Sequence, residues 1–185
     1  MRKLIVFNNV SLDGYFVDAE GDMSWAHKRD VEWSAFAGEN ARGGGVLLFG
    51  RKTYELMAGY WPTPMAIQNS PEVAEGMNNF SKVVFSRTLD SASWKNTKLV
   101  KGDLAAEVRK MKNQDGEGMA ILGSGSIVAQ LASEELIDEY QIALIPVALG
   151  KGRTMFEGVK KRLNLKLMKT RAFANGNLML WYEPA

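Results

Sequence analysis

The chain has 185 residues, of which 46% are hydrophobic, and its formal net charge is +2. This composition supports a substantial core in one domain spanning residues 1–185, and the small charge gives no support to a nucleic-acid-binding or membrane-binding protein. The sequence has no cysteine and one histidine, His27, which excludes disulfides, thiol catalysis and a multi-histidine metal site. We therefore expect no metal centre.

The first predicted element is a strand at residues 3–9, KLIVFNN. Its apolar stretch is too short for a signal peptide, and no run in the chain approaches the ~20 apolar residues that span a bilayer. We therefore expect a cytoplasmic protein. Further strands are predicted at residues 43–50, 82–86, 119–125 and 140–149, and helices at residues 30–41, 70–80, 103–112 and 126–133.

The C-terminal segments at residues 163–173 and 177–183 alternate apolar and polar residues with a period of two. Asn175-Gly176 lies between them and is a strong hairpin signal. Together these elements predict an α/β fold with a mostly parallel central sheet, helices on both faces and a C-terminal antiparallel hairpin. Ligands of such sheets bind at the carboxyl ends of the strands.

Three predicted strands end in residues suited to phosphate, through cationic side chains, hydroxyls or a glycine turn that opens a helix. These residues are Gly50, Arg51, Lys52 and Thr53; Ser86 and Arg87; and Gly123, Ser124, Gly125, Ser126 and Ile127. One ligand with several phosphates would account for all three ends, and NADPH is the simplest such ligand. Taken singly, each end is better explained as a tight turn or a solvated strand end, and only the three together favour a phosphate site.

A second group of residues follows the first strand, in the segment SLDGYFVDAEGDMSWAHKRDVEW at residues 11–33. Asp13 and Gly14 form a turn, and Trp25 precedes a helix whose apolar positions include Val31 and Trp33. Asp30 has two interpretations. It either complements the helix dipole, which the spacing favours, or it lies in a cleft beside Trp25 and serves proton transfer.

Four of these motifs occur in the order found in the dihydrofolate reductase superfamily, which the chain resembles. The motifs are WAHKRDVEW, LLFGRKTYE, VVFSR and ILGSGSIVAQL. The resemblance implies that Asp30 is catalytic and that Trp25 lines the substrate site. It also implies that the three strand ends bind NADPH, with Ser86 and Arg87 at the 2′-phosphate and the residues from Gly123 to Ile127 at the pyrophosphate.

The segments SLDGY, GSGS and IDEYQIALIPVALGKGRTMF resemble more closely the reductase domain of the bifunctional riboflavin-biosynthesis deaminase-reductase, in standalone form. This implies a reductase of the 5-amino-6-(5-phosphoribosylamino)uracil type, with Asp13 and Trp25 at the substrate and a homodimer as the expected assembly. Dihydrofolate reductase is an alternative, although Phe80 stands where the folate enzymes have a substrate-binding arginine. A non-catalytic NADPH-binding sensor or interaction protein is an alternative of another class.

Overall fold

The computed structural model describes residues 1–26 and 30–185. Their strands are β1 (Leu4–Ser11), β2 (Tyr15–Val17), β3 (Val46–Gly50), β4 (Ser81–Phe85), β5 (Thr97–Val100), β6 (Met119–Leu122), β7 (Glu139–Ile145), β8 (Arg153–Thr154), β9 (Leu165–Ala172) and β10 (Leu178–Pro184). Their helices are α1 (Val31–Arg42), α2 (Arg51–Tyr60), α3 (Pro64–Asn69), α4 (Pro71–Asn79), α5 (Leu104–Lys112) and α6 (Gly125–Ser133), preceded by a 3-10 turn at Ser24–Ala26.

Eight of the strands in the described ranges form one sheet in the order β5-β4-β3-β6-β1-β7-β10-β9. The first six strands in this order, from β5 across to β7, pair in parallel. Strand β10 runs antiparallel to both β7 and β9. The prediction of a mostly parallel sheet closed by a C-terminal antiparallel hairpin is therefore confirmed. Strands β2 and β8 form a separate antiparallel pair beside the sheet.

Alternating strand residues pack on opposite faces of the sheet, because successive side chains of a strand point in opposite directions. On one face Leu4, Val6, Leu48 and Ile121 pack with Val108 of α5 and Val128 and Leu131 of α6. On the other face, Leu47, Phe49 and Val84 pack with Tyr54 of α2 and Met77 of α4, and Ala143, Ile145 and Met179 pack with Phe36 of α1. The result is a three-layer α/β arrangement.

Helix α1 buries only some of the apolar positions of the predicted helix. Val31 is 88% exposed, whereas Trp33 and Phe36 pack against Phe173. Residues two apart on an α-helix point roughly 200° away from each other, so Val31 and Trp33 cannot share one face. The core-facing side is set by Trp33 and Phe36.

The C-terminus of α4 is held by a buried lysine. Lys82 is 1% exposed, and its Nζ donates to the carbonyl oxygens of Met77 (2.9 Å) and Phe80 (2.7 Å). The same ammonium group lies 4.4 Å from the centroid of the Trp94 ring. A cation at this position satisfies carbonyl groups that have no partner within the helix.

Candidate active site

A gap in strand pairing, called the cleft below, lies where strand β1 continues beyond its neighbour β6. Pairing between the two strands ends at Phe7 and Leu122, whereas pairing of β1 with β7 continues to Ser11 and Ile145. On the side of β6, residues 8–11 therefore lack a strand partner. The gap lies at the carboxyl ends of the parallel strands, which is where sheets of this type bind ligands.

The glycine turn after β6 forms one wall of this cleft. Gly123 and Ser124 adopt left-handed conformations, with φ values of +60° and +57°, and α6 begins at the next residue. A Cβ atom at Gly123 would lie 3.0 Å from Cγ2 of Thr53, so only glycine fits there without a shift. The chain thus reverses sharply and presents the start of α6 at the edge of the sheet.

Two of the backbone amides in this predicted pyrophosphate site are already engaged. Ser124 N donates to Thr53 Oγ1 (3.1 Å), and Ile127 N donates to the carbonyl oxygen of Ser124 (2.9 Å). The amides of Gly125 and Ser126 lie in the first turn of α6, where no intrahelical acceptor exists. These two are therefore the amides of the turn that suit an anion.

The three strand ends predicted from the sequence lie side by side. Gly50 N donates to Ser124 Oγ (3.0 Å), which joins the end of β3 to the glycine turn. On the other side of β3, Gly50 pairs in register with Phe85, so that Ser86 and Arg87 follow immediately beside Arg51. The first turns of α2 and α6 consequently open at the same edge.

The cationic side chains at this edge face solvent. Arg51 lies 3.4 Å from Glu55 in an exposed ion pair, whereas Lys52 and Arg87 are exposed and make no salt bridge with the described residues. Ser86 Oγ accepts hydrogen bonds from the amides of Thr88 (3.2 Å) and Leu89 (3.0 Å) and so shapes the turn after β4. Exposed cations beside a helix N-terminus favour binding of a phosphate-bearing ligand.

The pair of strands β2 and β8 covers the start of α6, a feature that sequence reasoning missed. A Cβ atom at Gly125 would lie 2.8 Å from Cζ of Phe16, so the Phe16 ring packs directly on this glycine. Asn8 Nδ2 donates to the Gly123 carbonyl oxygen (3.2 Å) and contacts Met155 Sδ (2.9 Å). For Asn8, the signal available in the sequence was the polar pair Asn8-Asn9 within an otherwise apolar strand.

An aromatic cluster lies on the opposite face of β1. The cluster comprises Phe7, Trp25, Trp33, Phe36, Phe173 and Trp181 around Ala143, Ile145 and Met179. Asp30, at its border, is partly buried and is the N-cap of α1, because its Oδ1 accepts from Trp33 N at 2.8 Å. Both Asp30 and Trp25 are thus close to apolar aromatic surface.

Asp13 holds two loops together. Its carboxylate accepts from Ser11 Oγ (2.7 Å) and from the amides of Leu149 (3.0 Å) and Gly150 (2.7 Å). These hydrogen bonds lower the pKa of Asp13 to about 2, because they stabilise the ionised carboxylate. The side chain joins the turn after β1 to the loop after β7, and its predicted contact with substrate stays a prediction.

The family model for the RibD C-terminal domain matches residues 2–179. The chain belongs to the RibD C-terminal domain family. The resemblance found in the sequence motifs is thereby confirmed.

Two Bacillus subtilis proteins resemble this RibD domain along nearly their whole length. The uncharacterised protein YyaP is 28% identical over 183 residues, covering 98% of this chain and 95% of YyaP. The uncharacterised protein YwjB is 25% identical over 172 residues, covering 93% of this chain and 92% of YwjB.

Solved structures share the fold. A putative riboflavin biosynthesis protein from Shewanella sp. PV-4 has a TM-score of 0.70 and 24% identity, with 99% of both chains covered. A pyrimidine reductase-like protein from Corynebacterium diphtheriae has a TM-score of 0.67 and 12% identity, with 100% of this chain and 92% of that chain covered. The Thermotoga maritima diaminohydroxyphosphoribosylaminopyrimidine deaminase/5-amino-6-(5-phosphoribosylamino)uracil reductase has a TM-score of 0.70 and 14% identity, with 100% of this chain and 57% of that chain covered.

Residues 1–26 and 30–185 of the RibD domain were compared with the requirements of a metal site and of a membrane span. No three histidine, cysteine or acidic side chains there come together in a group that could hold a metal ion. No helix in those ranges has both the length and the apolar character to cross a membrane. His27, the one histidine of the sequence, lies outside the described residues.

Proposed function

We propose that this RibD domain is an NADPH-dependent reductase of a small nitrogen heterocycle, of the 5-amino-6-(5-phosphoribosylamino)uracil reductase type, that acts in the cytoplasm. One observation carries the proposal: the glycine turn before α6 is hydrogen-bonded to the start of α2 at the edge where Arg51, Lys52 and Arg87 are exposed. Membership of a reductase-type family supports the same class of reaction.

The residues at this edge fit a phosphorylated dinucleotide. The amides of Gly125 and Ser126 suit a pyrophosphate, since they lie at a helix N-terminus in a turn too tight for a side chain at Gly123. Arg51 and Arg87, assisted by Lys52 and Ser86, suit a 2′-phosphate, which favours NADPH over NADH. When bound, the nicotinamide cofactor supplies a hydride.

The substrate side of the proposal rests on the aromatic cluster. Trp25 is a wall for a planar ring, since it packs beside Ala26 and the end of β7. Asp30 at the border of this cluster orients the heterocycle or conducts a proton to the nitrogen of the C=N group whose carbon is reduced. The carboxylate already serves as a helix cap, so its orientation is fixed by a hydrogen bond at 2.8 Å.

Calorimetry with NADPH and NADH tests the cofactor assignment. A charge-assisted hydrogen bond contributes about 1.5–3 kcal/mol, so Arg87→Ala is expected to weaken NADPH binding roughly ten- to a hundredfold and to leave NADH binding nearly unchanged. Arg109→Ala is the matched control. Arg109 is an exposed arginine of α5, away from the cleft, and it forms an ion pair with Glu134. Equal affinity of the wild-type protein for both nucleotides would contradict the assignment.

A non-catalytic NADPH-binding protein is the second candidate, favoured by the engagement of both predicted acidic site residues. Asp30 caps α1, and Asp13 holds the loop at residues 149–150. The two candidates differ in turnover. Oxidation of NADPH in the presence of a ribosylaminopyrimidine or dihydrofolate identifies a reductase, and tight NADPH binding without turnover on either favours the sensor.

A further inference from the structure

Three asparagines near the aromatic cluster leave buried polar atoms without hydrogen bonds. Among the described residues, the buried side-chain atoms that lack a partner are Asn9 Oδ1, Asn175 Nδ2, Asn177 Nδ2 and Asn177 Oδ1. Asn177 is only 1% exposed, and both of its polar atoms are unpartnered. Exchanging the oxygen and nitrogen positions of that amide would therefore give neither atom a hydrogen-bond partner.

These atoms lie on the side of the sheet that faces α1. Asn9 pairs with Ala143, and Ala143 pairs with Met179, so the three residues lie abreast on adjacent strands. Ala143 and Met179 belong to the aromatic cluster, and Asn177 precedes Met179 by two residues. Asn175 is tied to this group, because its Oδ1 accepts from Asn177 N at 3.0 Å.

The neighbouring Asn8 shows that the fold can satisfy an asparagine at this level of β1. Its Nδ2 donates to the Gly123 carbonyl oxygen on the opposite face. Buried polar groups nearly always have a partner, and an unpartnered one has a cost that a leucine would avoid. The carboxamides of Asn9 and Asn177 therefore point to a partner that is not part of the chain.

We propose that Asn9 and Asn177 bind the hydrogen-bonding edge of a planar imide or lactam ring, such as a uracil ring. This deepens the proposed function, on which it rests, by assigning the residues that select the heterocycle. A uracil imide edge presents acceptor, donor and acceptor in a row, and the unpartnered amide nitrogens and oxygens are the complementary donors and acceptors. No hydrogen bond holds these atoms in place, so the two amides turn toward a ligand without breaking one.

A pair of ligands tests this on the wild-type protein. The probes are 5,6-diaminouracil and its 3-methyl derivative, which lacks the imide N–H, and the readout is quenching of tryptophan fluorescence from Trp25, Trp33 and Trp181 in the cluster. The unmethylated ring is expected to bind at least about tenfold more tightly, since methylation removes a donor and leaves Asn oxygens unpartnered. Equal binding of the two probes, or binding of neither, would overturn the proposal.

The variant Asn177→Leu tests the residue. Its diaminouracil affinity is expected to fall by roughly tenfold or more, with melting temperature maintained or raised and NADPH affinity unchanged. Met119→Leu, a volume-conserving change in the core on the other face of the sheet, is the matched control and keeps wild-type affinity. Wild-type affinity in Asn177→Leu would show that these amides hold only internal water.

Failure of this inference and failure of the proposed function give different results. If the domain does not bind NADPH but discriminates between the two probes through Asn177, the pocket assignment stands and the reductase proposal fails. If NADPH is bound and oxidised while the probes are not distinguished, the reductase proposal stands and this inference fails. Should Asn177→Leu not fold, the probe pair on the wild-type protein and on Asn9→Ser distinguishes the same outcomes.

Discussion

Asp30 combines a structural contact with the proposed chemical role. Its Oδ1 caps α1 through Trp33 N, and aspartate, asparagine and serine are similarly good N-caps, whereas alanine is poor. Substitutions at this position can therefore separate helix stability from chemistry. Asparagine keeps the helix cap and removes the charge, whereas alanine removes both.

We predict that Asp30→Asn keeps the melting temperature and NADPH affinity but loses most turnover, by roughly 10²–10⁴ in rate, because general acid–base assistance is typically of that size. Asp30→Ala should lose turnover and in addition about 1 kcal/mol of stability. The assay is NADPH oxidation with a panel that includes dihydrofolate and the riboflavin-pathway ribosylaminopyrimidine. An undiminished rate in Asp30→Asn would remove the proposed role.

Lys82 makes stability depend on pH in the alkaline range. Burial lowers its pKa from the usual 10.5 to about 8, since the charged form is poorly solvated there. Between these two values the unfolded chain binds more protons at this site than the folded protein, so this group makes stability rise as the pH increases. Below about pH 8 Lys82 is charged in both states, so the full destabilisation from burying its charge is present.

We predict that the stability of the wild-type protein relative to Lys82→Met rises by up to about 3 kcal/mol between pH 8 and pH 10.5, at 1.36 kcal/mol per pKa unit. Chemical denaturation of both proteins at several pH values measures the difference and cancels other titrating groups. A difference that stays constant with pH would show that the contacts of Nζ with Met77, Phe80 and Trp94 offset its desolvation.

Single residues of the site were predictable where their chemistry is local. The Gly50–Thr53 and Gly123–Ile127 segments combine glycine, hydroxyl and helix-start signals within a few positions, so the sequence alone places them at one edge. Asn9 and Asn177 lie 168 positions apart in the chain, and β1 and β10 are separated by β7. No local pattern reports a buried atom that lacks a partner, so this pair required the structure.

At the scale of elements, the turn between β6 and α6 is where sequence and geometry are most tightly coupled. Gly123 must be left-handed and must leave room for Thr53 at 3.0 Å, whereas a Cβ atom at Gly59 within α2 would meet no other atom within 4 Å. The same substitution should therefore have opposite effects at the two sites.

We predict that Gly123→Ala costs about 1–2 kcal/mol in stability, from the left-handed backbone, and also weakens NADPH binding because the turn shifts. Gly59→Ala should gain about 0.5–1 kcal/mol, because alanine is the better helix former. Thermal unfolding and calorimetry of the two variants check this. Equal effects at both positions would contradict the importance of the turn geometry.

Apart from the ten-residue helix α2, the elements that the sequence analysis missed are short or depend on distant partners. Strand β5 has four residues without a buried face, and α3 has six residues beginning at Pro64. The two strands β2 and β8 pair across more than 130 positions and involve three and two residues. The long apolar strands and the capped helices, such as α5 with its N-cap Asp103, were predictable because their signals lie within each element.

At the scale of the whole molecule, the C-terminal hairpin leaves apolar surface uncovered. Strand β9 is the last strand of the sheet, and its Leu167 and Met168 are 48% and 51% exposed on opposite faces. An edge strand with such residues is a ready surface for pairing with another chain, although its lysines oppose indiscriminate pairing.

We propose that two copies associate through this edge, and we predict a dimeric mass by light scattering at micromolar concentration. Leu167→Lys combined with Met168→Lys should give a monomer with an unchanged melting transition at low concentration, because neither side chain contributes to the core. Leu56→Lys, at an exposed leucine of α2, is the control and should remain dimeric. A monomeric wild-type protein would remove the idea.

The extension of β1 beyond β6 has a consequence for amide hydrogen exchange. Successive amides of a strand point to alternate sides, so between residues 8 and 11 those facing β7 are protected while those facing the cleft meet no neighbouring strand. The strand should therefore exchange in an alternating fashion, fast and slow amides following each other within one buried segment. Any molecule that occupies the cleft and accepts those hydrogen bonds would slow the fast set alone, which gives a residue-resolved report of occupancy that requires no knowledge of the ligand's identity.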